Sequence, residues 1–314
     1  MRILDAKAVQ QALPYPKLID AIAETFLADT HAPERLHYKI PRASGNDVTM
    51  IFMPAWQRDG HIGVKLVTVS PDNRLRSLPA ISASYLLLDG DTGQPLLMID
   101  GPELTARRTA AVSALAAQYL APELCRTHLI LGAGAVAGCV ARSHRAVRRI
   151  EKTLVWARSM LKAKALCTEL NSEGILAESV EDLQTAVSES DLISTATLSA
   201  EPILLGGALR QEVHLDLIGS YLPDMREADD AAVAGAIIYA DNPGGALKES
   251  GELSIPIASG VITPSALAGG LHDLVRQSSW RRPEGKTIFK SVGMAVSDFA
   301  AAQCVLKWLD AQHQ

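Results

Sequence analysis

Apolar positions in the first thirty residues recur at helical spacing. Val9, Leu13, Leu18, Ile19, Ile22, Phe26 and Leu27 predict helix over 5–29, broken at Pro14–Pro16. The rhythm then changes. Runs 48–53, 63–69 and 82–88 are rich in β-branched and aliphatic residues and end at turn residues, which predicts strands. The third runs into Asp89-Gly90-Asp91-Thr92-Gly93, a hairpin turn, and 95–100 returns from it. A long alanine-rich helix is expected over 103–120.

Beyond residue 120 the pattern becomes regular. Short apolar strands are predicted at 128–131, 153–156, 175–177, 191–196, 215–219 and 236–240, with helices at 135–147, 160–171 and 183–187. Strands that alternate with helices in this way give a doubly wound parallel α/β sheet. The chain of 314 residues is long enough for two domains. The change of rhythm places a mixed α+β domain before a parallel one.

Charge and composition narrow the chemistry. A net charge of −5 argues against nucleic acid as the main partner. No apolar run is long enough to span a membrane, and Met1-Arg2-Ile3-Leu4-Asp5 turns charged at once, so no secretory leader is expected and cytoplasm is the default location. Cys125, Cys139, Cys167 and Cys304 form no CxxC pair and read as small buried residues. The eight histidines are scattered without metal-binding spacing, so no metal site is expected.

Gly132-Ala133-Gly134-Ala135-Val136-Ala137 lies between an apolar strand and an amphipathic helix, the context in which a GxGxxA loop binds a dinucleotide. Gly132 permits the tight turn, Gly134 lets a pyrophosphate approach the backbone, and Ala137 allows close packing. The N–H groups that open the helix at Ala135 and Val136 face the phosphates. An NAD site usually carries a carboxylate about 20 residues further on. Here that stretch reads Trp156-Ala157-Arg158-Ser159. Arg158 and Ser159 suit a 2′-phosphate, with Lys162 one turn on, so NADP(H) is preferred and NAD(H) remains open.

The first domain offers cations. Arg107 and Arg108 are adjacent in a helix of small residues and point about 100° apart, so one can reach inward while the other is solvated. A buried arginine there needs an anionic partner. Lys65 sits between Val64 and Leu66 in a predicted strand, either as a solvated edge charge or as a pocket ammonium.

The segments Asp89–Gly93, Leu104–Ala111, Gly132–Ala137, Thr195-Ala196-Thr197-Leu198-Ser199-Ala200-Glu201-Pro202-Ile203-Leu204 and Phe289-Lys290-Ser291-Val292-Gly293-Met294-Ala295 carry a resemblance. In their order and spacing the chain resembles the ornithine cyclodeaminase/mu-crystallin family over nearly its whole length. The resemblance implies a substrate-binding and dimerisation domain, residues 1–118 completed by 294–314, around an inserted Rossmann domain at 119–293. It implies a homodimer. It further implies that Arg35, Lys65 and Arg108 hold a substrate carboxylate, selecting Arg108 over Arg107. Thr195, Ala196 and Thr197, at a strand end, line the nicotinamide pocket on this reading, and Ser291 and Gly293 close it.

One departure bears on activity. Cyclodeaminases carry an essential Asp in a GGDxPGKxE segment. The matching stretch here is Gly219-Ser220-Tyr221-Leu222-Pro223-Asp224-Met225-Arg226-Glu227, with Tyr221 at that position. A phenol is too weakly acidic to replace a carboxylate base at neutral pH. Pro223–Glu227 and Trp156–Ser159 look more like mu-crystallin, a branch that includes NAD(P)H-dependent ketimine reductases. The expectation is therefore reduction of a cyclic imino acid, 1-pyrroline-2-carboxylate or 1-piperideine-2-carboxylate, to proline or pipecolate, as in proline metabolism. Ornithine cyclodeamination, alanine-type amino-acid dehydrogenation and non-catalytic NADPH-dependent ligand binding are the alternatives.

Overall fold

The computed structural model describes residues 1–277 and 279–312. Ser278, His313 and Gln314, which the expected domain ranges include, lie outside the described residues. The chain divides into two compact units, one of Met1–Arg108 with the segment from Met294 onward, the other of Thr109–Gly293. The division falls inside the helix Gly101–Leu120, whereas the resemblance implies a boundary after residue 118 and the change of rhythm comes near residue 120.

The first unit opens with β1 (Arg2–Leu4), α1 (Ala6–Ala12) and α2 (Tyr15–Leu27). Pro14 caps α2, so the proline pair splits the predicted helix in two. The sheet continues with β2 (Thr30–His31), β3 (Leu36–Ile40), β4 (Val48–Gln57), β5 (Ile62–Val69), β6 (Ile81–Leu88) and β7 (Pro95–Asp100). Its order is β1-β7-β6-β5-β4-β2, with β3 paired to β4; β1 runs parallel to β7 and the other pairs are antiparallel. The sequence pattern missed β1, β2 and β3. The first two are only three and two residues long, and the third is exposed along its whole length, so none shows alternation.

Register fixes which face each residue takes. Met53, Lys65, Tyr85, Ile99 and Leu4 form one row across five strands, and all are buried. The C-terminal helix Ala295–Ala311 packs on β4 and β5 and against α2. On the opposite face the row Pro54, Val64, Leu86, Met98 and Ile3 is entirely apolar, yet every member is partly or well exposed.

α3 (Gly101–Leu120) begins directly after β7. Asp100 caps it by accepting the Glu103 N–H at 2.9 Å. A Cβ on Gly101 would lie 2.4 Å from the Ala83 backbone, so only glycine lets the helix start against β6.

The second unit holds β8 (Thr127–Leu131), α4 (Ala135–Arg145), β9 (Lys152–Trp156), α5 (Met160–Ser172), β10 (Ala177–Ser179), β11 (Leu192–Thr195), β12 (His214–Leu217), β13 (Ile237–Ala240), β14 (Leu267–Gly270) and β15 (Thr287–Lys290). The strands are all parallel, in the order β10-β9-β8-β11-β12-β15-β13-β14. This is the doubly wound Rossmann-type sheet that the alternation predicts. The order reverses between β8 and β11, and in such sheets the crevice at that switch point takes the ligand.

Candidate active site

In the first unit, two cations converge on one carboxylate. Lys65 Nζ lies 2.7 Å from Asp298 Oδ2, and Arg108 Nε donates to Asp298 Oδ1 at 2.8 Å. Lys65 is held in the buried row of the sheet, Arg108 two turns into α3, and Asp298 in the first turn of the C-terminal helix, where a negative charge suits the helix dipole. Asp298 is completely buried and both cations nearly so. Among the described residues, the buried Arg108 Nη1 has no hydrogen-bond partner, and neither has the buried Tyr85 hydroxyl opposite Lys65.

Two guanidinium and ammonium charges against one carboxylate leave an excess of positive charge in a dry place. Burial, then the Arg108 charge, lower the Lys65 ammonium to about 8, while Asp298 pulls it back up and Arg35 adds to the lowering. Arg35, half-buried just before β3, is thus within electrostatic reach of Lys65. An orphaned guanidinium donor beside surplus positive charge is chemically suited to a small carboxylate, which arginine binds through paired N–H donors.

Arg107 corrects an expectation. It is not solvated: its Nε donates to the Leu13 carbonyl at 3.1 Å, its Nη1 pairs with Glu103, and its guanidinium lies 4.7 Å over the Tyr15 ring. Both arginines of the pair are buried, one against α1 and α2 and the other against Asp298. The sequence reading did not find Asp298. Its only local signal is an acidic residue within a run of buried apolar positions, Val296 to Ala302.

The glycine loop of the second unit follows β8. Gly132 has φ +125°, and a Cβ there would lie 2.6 Å from the Ala196 carbonyl oxygen. Glycine is required on both counts. Gly134 differs: it caps α4 with an extended backbone, and a Cβ would meet nothing within 4 Å. The space above it is open. Ala135 is exposed and Val136 half-buried at the free start of α4, while Ala137 is fully buried. Open backbone at an 11-residue helix start provides N–H groups for a phosphate, so these residues fit a dinucleotide.

At the end of β9, Arg158 is exposed, and Ser159 caps α5 by accepting the Lys162 N–H at 3.4 Å. Thr195 and Thr197 turn their hydroxyls onto Glu227, at 2.8 Å and 2.7 Å. Ala196 donates its N–H to the Leu131 carbonyl at 2.8 Å. Ser291 Oγ and the Gly293 N–H both donate to Asp241 Oδ2, at 3.0 Å and 2.7 Å. Tyr221 is 39% exposed on the loop after β12.

The histidines that look scattered in sequence come together in part. His128 Nε2 lies 2.9 Å from Ser194 Oγ, and that hydroxyl donates to Asp216 Oδ2 at 3.0 Å. His144 Nε2 stands 3.6 Å from the same carboxylate, and His214 Nδ1 is 2.9 Å from Thr287 Oγ1. All are completely buried. Burial drives His128 and His214 well below the usual imidazole value and His144 down to about 4, and pushes the Asp216 carboxyl up to about 7.

A parallel sheet whose switch point carries a glycine-turned phosphate loop defines the class, the Rossmann-type dinucleotide-binding α/β proteins. The ornithine cyclodeaminase/mu-crystallin family matches residues 2–312, and the chain belongs to that family. An uncharacterised protein of Schizosaccharomyces pombe is 38% identical over 98% of this chain and 97% of its own. The Delta(1)-pyrroline-2-carboxylate reductase of Paracoccus denitrificans is 38% identical over 92% of this chain and 94% of its own. The Thermococcus litoralis Delta(1)-pyrroline-2-carboxylate reductase, solved with NADH and L-proline, superposes with a TM-score of 0.92 at 30% identity, covering 100% of this chain and 98% of that one.

Proposed function

We propose that this chain is a nicotinamide-dependent reductase of cyclic ketimine carboxylates, converting 1-pyrroline-2-carboxylate, 1-piperideine-2-carboxylate or both to L-proline and L-pipecolate. The observation that carries the reading is the buried Lys65–Asp298–Arg108 cluster with its unpartnered Arg108 Nη1. Its chemistry suits the carboxylate that every such imine bears, and relatives sharing over 30% of the sequence bear the reductase name.

On this reading Arg108 and Lys65, with Arg35, hold the substrate carboxylate and so fix the plane of the adjacent C=N bond. Asp298 balances one of the two buried charges and keeps both side chains in place. Reduction needs a proton at the imine nitrogen. An ammonium that titrates near 8 is able to give one up at neutral pH, and Lys65 is the donor the pocket offers, directly or through water. Gly132, Gly134, Ala135 and Val136 hold the cofactor pyrophosphate, and Arg158 and Ser159 its adenosine ribose. The backbone of Thr195–Thr197 with Ser291 and Gly293 borders the nicotinamide, which when bound in reduced form supplies the hydride. The exposed arginine at the end of β9 and the lack of a carboxylate there favour NADPH over NADH.

The same reading takes the first unit as the substrate and dimerisation domain and the second as the cofactor domain. The apolar row Pro54, Val64, Leu86, Met98 and Ile3 supports a homodimer formed on that sheet face. No helix among the described residues is long and apolar enough to cross a membrane.

The test is direct. Purified protein is mixed with NADPH or NADH and each cyclic imine, and loss of absorbance at 340 nm is followed, with pyruvate plus ammonia as a rival substrate. Ornithine is incubated separately and ammonia measured. Oxidation with a cyclic imine alone supports the proposal; ammonia release from ornithine, or turnover only with pyruvate and ammonia, refutes it.

A further inference from the structure

Glu227 is completely buried on the loop after β12, and its carboxylate accepts four donors. Oε1 takes the Thr197 N–H at 2.8 Å and the Thr197 hydroxyl at 2.7 Å; Oε2 takes the Thr195 hydroxyl at 2.8 Å and the Gly219 N–H at 2.5 Å. Both oxygens are doubly engaged, each by one backbone N–H, which can only donate, and one threonine hydroxyl. Burial, with the nearby Glu252 charge, raises this carboxyl, and the buried Lys290 charge offsets only part of that rise. The approach is so close that a Cβ on Gly219 would lie 1.7 Å from the Thr197 carbonyl and 2.5 Å from Glu227 Oε1.

Three segments meet through this one side chain: the end of β11, the end of β12 and the Glu227 loop. A second buried carboxylate holds that loop in turn. Glu252 accepts the Glu227 N–H at 2.9 Å, the Ala228 N–H at 2.8 Å and the Ser220 hydroxyl at 2.8 Å. On the other side, Ala196 is the residue whose carbonyl lies against Gly132. Thr195 is fully buried and its hydroxyl is taken, so what this segment presents outward is backbone.

We propose that Glu227 is a positioning residue for the nicotinamide half of the cofactor, acting through the backbone of Thr195–Thr197 and Gly219, which it locks in one conformation. The inference rests on the dinucleotide reading of the glycine loop, and it does not depend on which imine is reduced. Preformed backbone spares the protein the ordering entropy on binding, so loosening these segments weakens the complex. Glu227→Gln turns one acceptor atom into a donor that faces a backbone N–H, and so removes that bond, reverses the hydroxyl bond beside it and takes away the charge. Thr197→Val removes one bond at nearly constant shape.

The test is a binding titration without imine, followed by quenching of tryptophan fluorescence, with NADPH and with adenosine 2′,5′-bisphosphate as a probe of the adenosine half. For Glu227→Gln the Kd for NADPH should rise at least tenfold while that for the bisphosphate stays within twofold. For Thr197→Val the NADPH value should rise about threefold, and Thr197→Ser should restore it. Equal weakening of both probes would show a general loss of integrity of the unit and overturn the proposal, as would an unchanged NADPH affinity with lower thermal stability. If Glu227→Gln does not fold, the Thr197 pair decides alone. Failure of the wild type to reduce any imine, with the NADPH pattern intact, would sink the substrate reading and leave this one standing.

Discussion

Replacing Asp298 with Asn tests the pocket at its centre. The change keeps volume and one acceptor oxygen but removes the negative charge that Lys65 Nζ meets at 2.7 Å and Arg108 Nε at 2.8 Å. Two cations then stand buried beside each other with no counter-charge. Breaking a buried ion pair from one side costs about 3–5 kcal/mol, a large share of the roughly 5–15 kcal/mol by which domains are stable. The Lys65 ammonium, already lowered to about 8, loses the one group that raises it and keeps Arg108 and Arg35, which lower it. Its titration should move acidward by about one pH unit or more, at ~1.36 kcal/mol per unit. Two assays read this. Urea unfolding at pH 7 should show a loss of at least about 2 kcal/mol, allowing for local relaxation. In the profile of kcat/KM for the imine, wild type should decline as pH rises through about 8, and the variant should begin its decline well below that. An unmoved alkaline limb, with stability within about 0.5 kcal/mol of wild type, would mean that Asp298 does not balance these cations.

Four further expectations follow from the same structure. Arg108→Ala should raise KM for the imine at least tenfold and leave NADPH binding by fluorescence unchanged; an unaltered KM would remove Arg108 from the pocket. Arg158→Ala should weaken NADPH more than NADH, and equal losses in the two titrations would refute a 2′-phosphate contact. The second unit should lose stability in acid. The depressed His128, His144 and His214 stay neutral when folded but take protons below about 6.5 when unfolded, so stability falls as pH drops from there toward 4. Asp216, raised to about 7, and Glu227, also raised, work in the opposite sense, but three imidazoles outweigh two carboxyls and the net direction is a loss of stability toward acid. Urea midpoints at pH 7, 6 and 5 would measure it, and a flat profile would refute it. Finally, Val64→Glu on the exposed apolar row should shift sedimentation from dimer to monomer, and an unaffected dimer would place the interface elsewhere.

What was legible in the sequence depended on how local the cause is. The glycine loop was readable because turn, helix start and packing residue follow one another within six positions. The alternation of the parallel unit was readable because its central strands β8, β11 and β12 are buried on both faces and so form short apolar runs. Lys65 was ambiguous because alternation within one strand says only that Val64 and Leu66 share the other face. It takes register with Met53 and Tyr85 to show which face is buried. Arg107 misled because its partners, the Leu13 carbonyl and the Tyr15 ring, lie more than ninety residues away. Asp298 and Glu227 were missed for the same reason. Each holds groups brought together only by the fold, and the histidines of β8 and α4 carry no mark in sequence of their meeting at Ser194 and Asp216.

The separation between Arg108 and Asp298 also orders events in time. They are 190 positions apart, and Asp298 belongs to the last helix of the chain as described. During synthesis Lys65 and Arg108 emerge first and must wait while the whole parallel unit is made. Until the final helix docks, the first unit holds two cations, Lys65 on the sheet and Arg108 on α3, without the carboxylate that balances them, which keeps that face wet. A chain released before residue 298 would therefore lack more than its tail: its anion pocket would have no counter-charge to close on. Closure of the first domain therefore waits on a helix made only after the whole parallel unit.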